Sequence, residues 1–252
     1  MSGHNKWSKI KRAKGVTDAK RGQMFTKLTR AIILATKEGG PNPDGNFKLR
    51  LAIQAARDAS MPLENIERGI KKGSGDQEGV VYKEFTLEGY GPSGVAIMAN
   101  CLTDNHNRTV QEVRSIFTRY GGNLGENGSV AWMFDNRGVV TVDAKGKNAD
   151  DIELAAIDGG AEDVKTEDGC IEIYTRHDKL ESVKKALEAQ KVTIDSAEMS
   201  LIPKVPVELD EKAAFQAMKL MERLEELDDV QSVVSNANFS DEIMEKYQAA
   251  VV

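Results

Sequence analysis

A helix and a strand without a sheet of their own, near the C-terminus, constrain the fold of this chain more than any other feature. Between Gly138 and Pro203 the apolar spacing predicts strand 139–143, helix 148–158, strand 162–166, strand 170–175, helix 178–190 and strand 192–202. That is a complete strand-helix-strand-strand-helix-strand unit, which forms a ferredoxin-like sandwich by itself. Beyond it, Pro203 and Pro206 bracket a crossing segment, Asp210 caps a helix to Leu227, and Val230–Val234 reads as one more strand. Upstream, residues 82–135 show the opposite deficit. Strands Tyr82–Leu87 and Val95–Leu102 flank a Gly/Pro turn, and a helix follows with Val110, Val113, Ile116, Phe117 and Tyr120 on one face. Thr109 and Glu112 have capping-box spacing at the start of that helix. A strand at Val130–Phe134 and a turn at Asp135–Gly138 complete the block. A lone helix and strand cannot bury their apolar faces. Residues 204 onward are therefore expected to return to the 82–135 block, with 138–203 as an insertion.

The N-terminal region has a different character. From Thr17 the residues Met24, Phe25, Leu28, Ala31, Ile32 and Ala35 recur at helical spacing until Gly39-Gly40-Pro41. A second helix is predicted from Asn46 to Asp58, and a third opens at Pro62 and carries Leu63, Ile66 and Ile70 to Gly73. Gly73-Ser74-Gly75-Asp76-Gln77-Glu78-Gly79 has linker composition. The expected units are thus a basic arm with three helices (1–78), a discontinuous α/β unit (79–137 with 204–252) and an inserted α/β unit (138–203), in the α+β class.

Charge follows the same boundaries. The first thirty residues hold Lys6, Lys9, Lys11, Arg12, Lys14, Lys20, Arg21, Lys27 and Arg30 against Asp18 alone, in a chain whose total is -6. A cationic front on an acidic body points to a polyanionic partner. Trp7 lies among these cations, either to stack on an unpaired base or to pack the arm onto the helices. Six phosphate contacts by such an arm would give a salt slope of roughly -5 on duplex DNA. A basic, acid-poor start is also shared by mitochondrial transit peptides, but Gly3, Gly15 and Trp7 suit a mature arm. With no apolar run of membrane-spanning length and only Cys101 and Cys170, far apart in sequence, a cytoplasmic location is expected.

Residues suited to catalysis do not cluster. His4, His106 and His177 lack metal-ligand spacing, and neither cysteine has a second ligand nearby, so no metal, no cofactor and no catalytic residue is predicted. P-loop, dinucleotide and nucleophile-elbow patterns are absent from the sequence. The densest polar cluster is Thr103–Thr109. Asp104, Asn105, Asn107, Arg108 and Thr109 fall where a buried strand meets a helix N-terminus, and either shape and cap the turn or form a second polar contact site for an anion. The glycine-rich run Gly121–Ser129 is open to the same two readings, a plain loop or an amide cradle for phosphate.

The segments CLTDNHNRTVQEVR and GGNLGENGSVAWMF, with the opening GHNKWSKIKRAKG, DAKRGQMFTKL, MPLENIERGIKKG and the turn EGYGPSGVA, resemble the YebC/PmpR family over nearly the whole chain. His106 and the acidic tail depart mildly from its pattern. The resemblance implies a helical N-terminal domain followed by two ferredoxin-like α/β domains, the third inserted in the second. It also implies a cytoplasmic DNA-binding regulator of transcription, with translation activators acting on the ribosome among its relatives. The residues themselves favour neither partner outright. No helix-turn-helix pattern is evident for reading duplex DNA, and the acidic body would repel DNA yet suit basic ribosomal proteins. The expected function is a non-enzymatic regulator of gene expression that binds nucleic acid, DNA first, with rRNA or tRNA on the ribosome as the alternative. A protein partner on the acidic units, and no membrane, complete the expectation.

Overall fold

The computed structural model describes residues 18–75, 82–143, 148–167 and 169–251. Three helices come first: α1 (Asp18–Gly39), α2 (Phe47–Asp58) and α3 (Leu63–Ser74). Their apolar faces meet around Ile32, Ala35, Leu49, Ile53, Ala56, Met61 and Ile66. Buried Asn46 fixes the first corner. Its Oδ1 accepts from the Leu49 amide at 3.0 Å, capping α2, while Nδ2 donates to the carbonyls of Ala35 (2.7 Å) and Gly40 (2.8 Å). One side chain thus satisfies orphan groups at the end of one helix and the start of the next. The helix α3 approaches α1 through Gly73, where a Cβ would lie 2.6 Å from Thr36 Cβ.

Two four-stranded antiparallel sheets follow. The first has the order β3-β1-β2-β9, built from β1 (Lys83–Tyr90), β2 (Ala96–Thr103), β3 (Asn123–Leu124) and β9 (Val230–Ser235). The second has the order β5-β6-β4-β7, from β4 (Phe134–Asp143), β5 (Ala161–Glu167), β6 (Cys170–Thr175) and β7 (Ile194–Pro203). All strands of the second sheet lie in sequence between β3 and β9, so one α/β layer is inserted in the other. With α5 (Ala149–Gly159) and α6 (Leu180–Ala189) on one face, the inserted layer is a ferredoxin-like sandwich. The first sheet is wired differently, its own strands standing in the order third, first, second, fourth, against second, third, first, fourth in the inserted sheet.

The central strand β2 is buried along nearly its whole length. Ile97, Ala99 and Cys101 pack under α4 (His106–Arg119) and α7 (Glu211–Glu225), with Phe117, Met218 and Leu224. Ala96 and Met98 face the other way, against Val130, Phe134 and Val234. Asn236 ties the returning segment to the sheet, its Oδ1 accepting from the Ala96 amide at 2.8 Å and its own amide donating to the Ala96 carbonyl at 3.1 Å. A minor parallel pair, β8 (Val207–Glu208) with β10 (Ala237–Asn238), and the last helix, α8 (Asp241–Val251), close this layer.

Three local expectations are corrected. The turn predicted at Asp135-Asn136-Arg137-Gly138 is absent, and β4 runs straight through it, pairing Asp135 with Ile202 and Arg137 with Ser200. Residues 131–133, predicted as strand, form a 3-10 turn. Gly138 is present for space, not for turning. A Cβ there would sit 2.8 Å from Thr175 Cγ2 and 3.1 Å from Leu180 Cβ, where the start of α6 crosses the strand. The third correction concerns α4, which begins at His106 with Asn105 as its cap, so Thr109 lies inside the helix. Replacing Gly138 with alanine should lower stability by about 1–3 kcal/mol through overpacking, read as a lower urea midpoint, whereas Asn136→Ala two residues away on the same strand should change it little.

Candidate nucleic-acid interface and the Asp229 junction

The residues expected to contact nucleic acid fall into three groups. Lys6, Trp7, Lys9, Lys11, Arg12 and Lys14 lie outside the described residues. Lys20 and Arg21 are exposed on the first turn of α1. Lys27 and Arg30 are half-buried and face inward onto the turn that follows α7. Gln23, Lys27 and Arg30 share one face of α1 by their spacing. Gln23 Nε2 donates to the Glu226 carbonyl at 3.3 Å and Lys27 Nζ to the Glu225 carbonyl at 2.5 Å. Arg30 Nη1 reaches the Asp228 carbonyl at 2.9 Å and Asp229 Oδ1 at 2.7 Å. Cations at the carbonyl end of a helix complement both its unpaired acceptors and its dipole.

Asp229 is the centre of this junction. The residue is 4 % exposed. Its Oδ2 accepts from Arg108 Nη2 at 2.7 Å, Thr109 Oγ1 at 2.8 Å and Thr103 Oγ1 at 2.9 Å, while Oδ1 holds Arg30. Its backbone carbonyl accepts from the Leu102 amide at 2.8 Å. Burial pushes the carboxyl pKa up, but the hydrogen bonds from Arg108, Thr109, Thr103 and Arg30 outweigh it and hold the group below the ordinary aspartate value. A buried carboxylate thus joins β2, α4, the turn before β9 and α1 of the helical unit.

This arrangement decides how the Thr103–Thr109 cluster is used. Asn105 Oδ1 caps α4 by accepting from the Arg108 amide at 3.1 Å. Asp104 pairs with Arg108 at 2.9 Å. Thr109 Oγ1 donates its one proton to Asp229, the nearer acceptor at 2.8 Å, with the Asn105 carbonyl at 3.1 Å. Of the predicted contact residues only Thr109 is buried; Asp104, Asn105, Asn107 and Arg108 are exposed, as is His106, whose ring lies 4.5 Å from that of Phe85. The anion held at this helix N-terminus is the protein's own Asp229.

The glycine-rich run behaves in the same way. Glu88, buried at the end of β1, accepts from the amides of Gly128 (2.7 Å), Val130 (2.8 Å) and Ala131 (2.8 Å). Burial again raises its pKa, and the three amides more than compensate, leaving it lowered. The amide cradle exists, and an internal carboxylate fills it. Neither Asp229 nor Glu88 was singled out from sequence. The signals were an acid pair, Asp228-Asp229, directly before an apolar strand, and an acid inside the otherwise apolar Leu87–Tyr90 stretch.

Among the described residues no group of three or more His, Cys, Asp or Glu side chains converges to hold a metal ion. Both cysteines are buried, and neither forms a disulfide. Burial and the nearby Asp229 push the Cys101 thiol up to about 12, so it stays protonated. No helix among the described residues is long and apolar enough to cross a membrane.

A helical front on two interleaved α/β layers defines a class of α+β protein, and comparison with known proteins assigns the family. The model for the TACO1/YebC protein N-terminal domain matches residues 5–76, and that for the TACO1/YebC second and third domain matches residues 82–237. The chain belongs to the TACO1/YebC family. It is 56% identical over 249 residues to a probable transcriptional regulatory protein of Dehalococcoides mccartyi strain CBDB1, covering 99% of both chains. A probable transcriptional regulatory protein of Trichlorobacter lovleyi is 52% identical over 246 residues, 98% of this chain and 99% of that one. Among solved structures, a conserved hypothetical protein from Aquifex aeolicus superposes with a TM-score of 0.82 at 47% identity, covering 90% of this chain and 94% of that one.

Asp229→Ala should destabilise the protein by on the order of 3 kcal/mol, since it strands Arg30 and two threonine hydroxyls at a buried site. Because the folded pKa is depressed, the stabilisation by Asp229 is complete above the unfolded value of about 3.9 and is lost as pH falls through the folded value. The urea midpoints of wild type and Asp229→Ala should therefore differ most at pH 5–7 and converge below about pH 4.

Proposed function

We propose that this protein is a non-catalytic, cytoplasmic regulator of gene expression that binds nucleic acid through its basic front, with duplex DNA as the target and transcription as the process. The observation that carries the reading is the division of the basic residues on α1. Lys27 and Arg30 are committed to the acidic turn after α7, while Lys20, next to the arm, stands on the surface. The naming of close relatives as probable transcriptional regulatory proteins supports the choice of process. In this reading Lys6, Lys9, Lys11, Arg12, Lys14, Lys20 and Arg21 neutralise phosphates, and Trp7 packs among them. Lys27 and Arg30 hold the helical unit in place instead of meeting the ligand. The three-unit division, 1–78, 79–137 with 204–252, and 138–203, gives a cationic reader and two acidic layers that orient it or recruit a protein.

One observation favours a second reading. The chain beyond Asp76 carries 18 basic and 33 acidic residues, a surplus that repels duplex DNA and suits basic ribosomal proteins. A translation factor that contacts rRNA or tRNA on the ribosome would use the same cationic front.

Exchanging Lys9, Lys11, Lys20 and Arg21 for glutamine should reduce the salt slope of duplex binding by roughly 0.9 for each phosphate no longer neutralised. Fluorescence anisotropy at several salt concentrations measures this, with Arg30→Gln as a comparison that lowers stability and leaves the slope unchanged. Co-sedimentation of wild type with ribosomes, set beside competition between promoter and random DNA, separates the two readings. Ribosome binding without promoter preference would overturn the transcriptional one.

A further inference from the structure

The two most exposed large apolar side chains of the described residues lie where the α/β layers exchange chain. Trp132 is 64 % exposed and Val205 is 71 % exposed. A tryptophan this open gives up most of the burial energy its ring offers, yet its mounting is rigid. The flanking Val130 and Phe134 are buried in an apolar cluster with Ala96, Met98 and Val234. Glu88 holds the Val130 and Ala131 amides at 2.8 Å each. The Met133 carbonyl accepts from the Lys204 amide at 2.9 Å, and the Trp132 carbonyl accepts from Lys204 Nζ at 2.9 Å. The indole is also pinned, with Nε1 donating to the Ser129 carbonyl at 3.1 Å, an acceptor shared with Tyr90 Oη at 2.9 Å.

The pinning determines what such a ring can recognise. Indole has one polar group, a donor, and here that donor is already used. No hydrogen-bonding edge is left to read a partner. The exposed indole surface remains, held without the entropy cost of ordering a loose side chain. Cations stand beside it. Lys204 Nζ lies 3.3 Å from half-exposed Asp135, and Arg137 bridges Asp135 at 3.6 Å and Glu162 at 3.4 Å, so both cations sit in surface ion pairs, which are worth little individually and exchange readily for a phosphate. A hollow of about 290 Å³ adjoins them, its charged lining being Arg137, Lys165 and Lys204 with Asp135 and Asp163. Its size is at the lower end for small-ligand sites.

We propose that Trp132 is a stacking platform for an unpaired nucleobase, with Lys204 and Arg137 placed to take the flanking phosphates. Sequence-tolerant binding of single strands combines these two elements, an aromatic face and cations along the backbone. A base paired within a duplex hides its faces, so this site takes single-stranded RNA or DNA and not the duplex interior. The proposal rests on the nucleic-acid reading above and adds to it a second contact point, of a different chemical kind, on the body of the protein.

The chain contains two tryptophans, so Trp7→Phe leaves Trp132 as the sole emitter. Full-length Trp7→Phe would be titrated with a mixed-sequence 12-mer of RNA, the matching single-stranded DNA, and the DNA duplex, followed by indole emission and by anisotropy of a labelled strand. Quenching is expected with single strands and not with duplex, and the relative affinities of the RNA and DNA strands show which is preferred. Trp132→Ala should weaken single-strand binding by roughly 5- to 150-fold with an unchanged salt slope. Trp132→Phe should restore most of it, and Lys204→Gln should reduce the slope by roughly 0.7. Thermal melts of the variants confirm folding, which an exposed side chain does not support. Single-strand binding with silent Trp132 emission and wild-type affinity in Trp132→Ala overturns this proposal alone. Absence of binding to every nucleic acid tested overturns both it and the reading on which it rests.

Discussion

The relation between the helical front and the body depends on one buried carboxylate. Taking Asp229 out of water costs several kcal/mol, and only donors that are close and numerous offset it. Four side chains supply them, from Thr103, Thr109, Arg108 and Arg30. Three of the four come from β2 and α4 in the body, and the fourth comes from α1. The helical unit is therefore attached by completing a polar site that the body leaves one donor short. Lys27 and Gln23 extend the attachment to the last carbonyls of α7. Further along, Lys48 pairs with Glu84 at 2.8 Å and Phe47 packs against the core of the inserted layer. These contacts set the direction of α1, and with it the point from which the basic arm departs.

Glu88 solves a related problem on the same sheet. The loop between β3 and β4 presents amides that have no strand to pair with, and unpaired buried amides are costly. A carboxylate from β1 collects three of them. Both places that look in sequence like anion sites, a helix N-terminus rich in Asn and Thr and a glycine-rich loop, do bind an anion. In each case the anion is a side chain of the same protein, forty or more residues away by sequence in the loop and more than a hundred in the helix.

That distance explains what could and could not be read from the residues. The helices and most strands were legible because apolar periodicity is local: α1 from Met24 to Ala35, β6 at 170–175, α7 behind Asp210. Insertion of one α/β layer in the other was legible through its deficit, a helix and strand needing a sheet. The partner of a buried acid is a long-range fact. Nothing near Thr109 shows that its hydroxyl will meet Asp229, so its capping-box spacing with Glu112 pointed to the wrong cap. Asp135–Gly138 misled for a different reason. Its composition is that of a turn, but Gly138 meets a packing demand from Thr175 and Leu180 across the sheet and has no backbone requirement of its own.

The junction also limits which cations a polyanion can recruit. A phosphate that drew Arg30 away would leave Asp229 with less compensation at a site that is nearly dry, whereas a phosphate at exposed Lys20 displaces mainly water and counterions. Ordinary phosphate contacts are worth too little individually to break a hydrogen-bonded buried pair. The nine basic residues of the first thirty therefore do not act as one electrostatic patch. The two nearest the body, Lys27 and Arg30, belong to the fold. In the proposed complex, a nucleic acid held by the outer half of α1 would take its direction from the Asp229 junction that fixes the inner half, so the anchoring of the helix would set the orientation as much as the charges do.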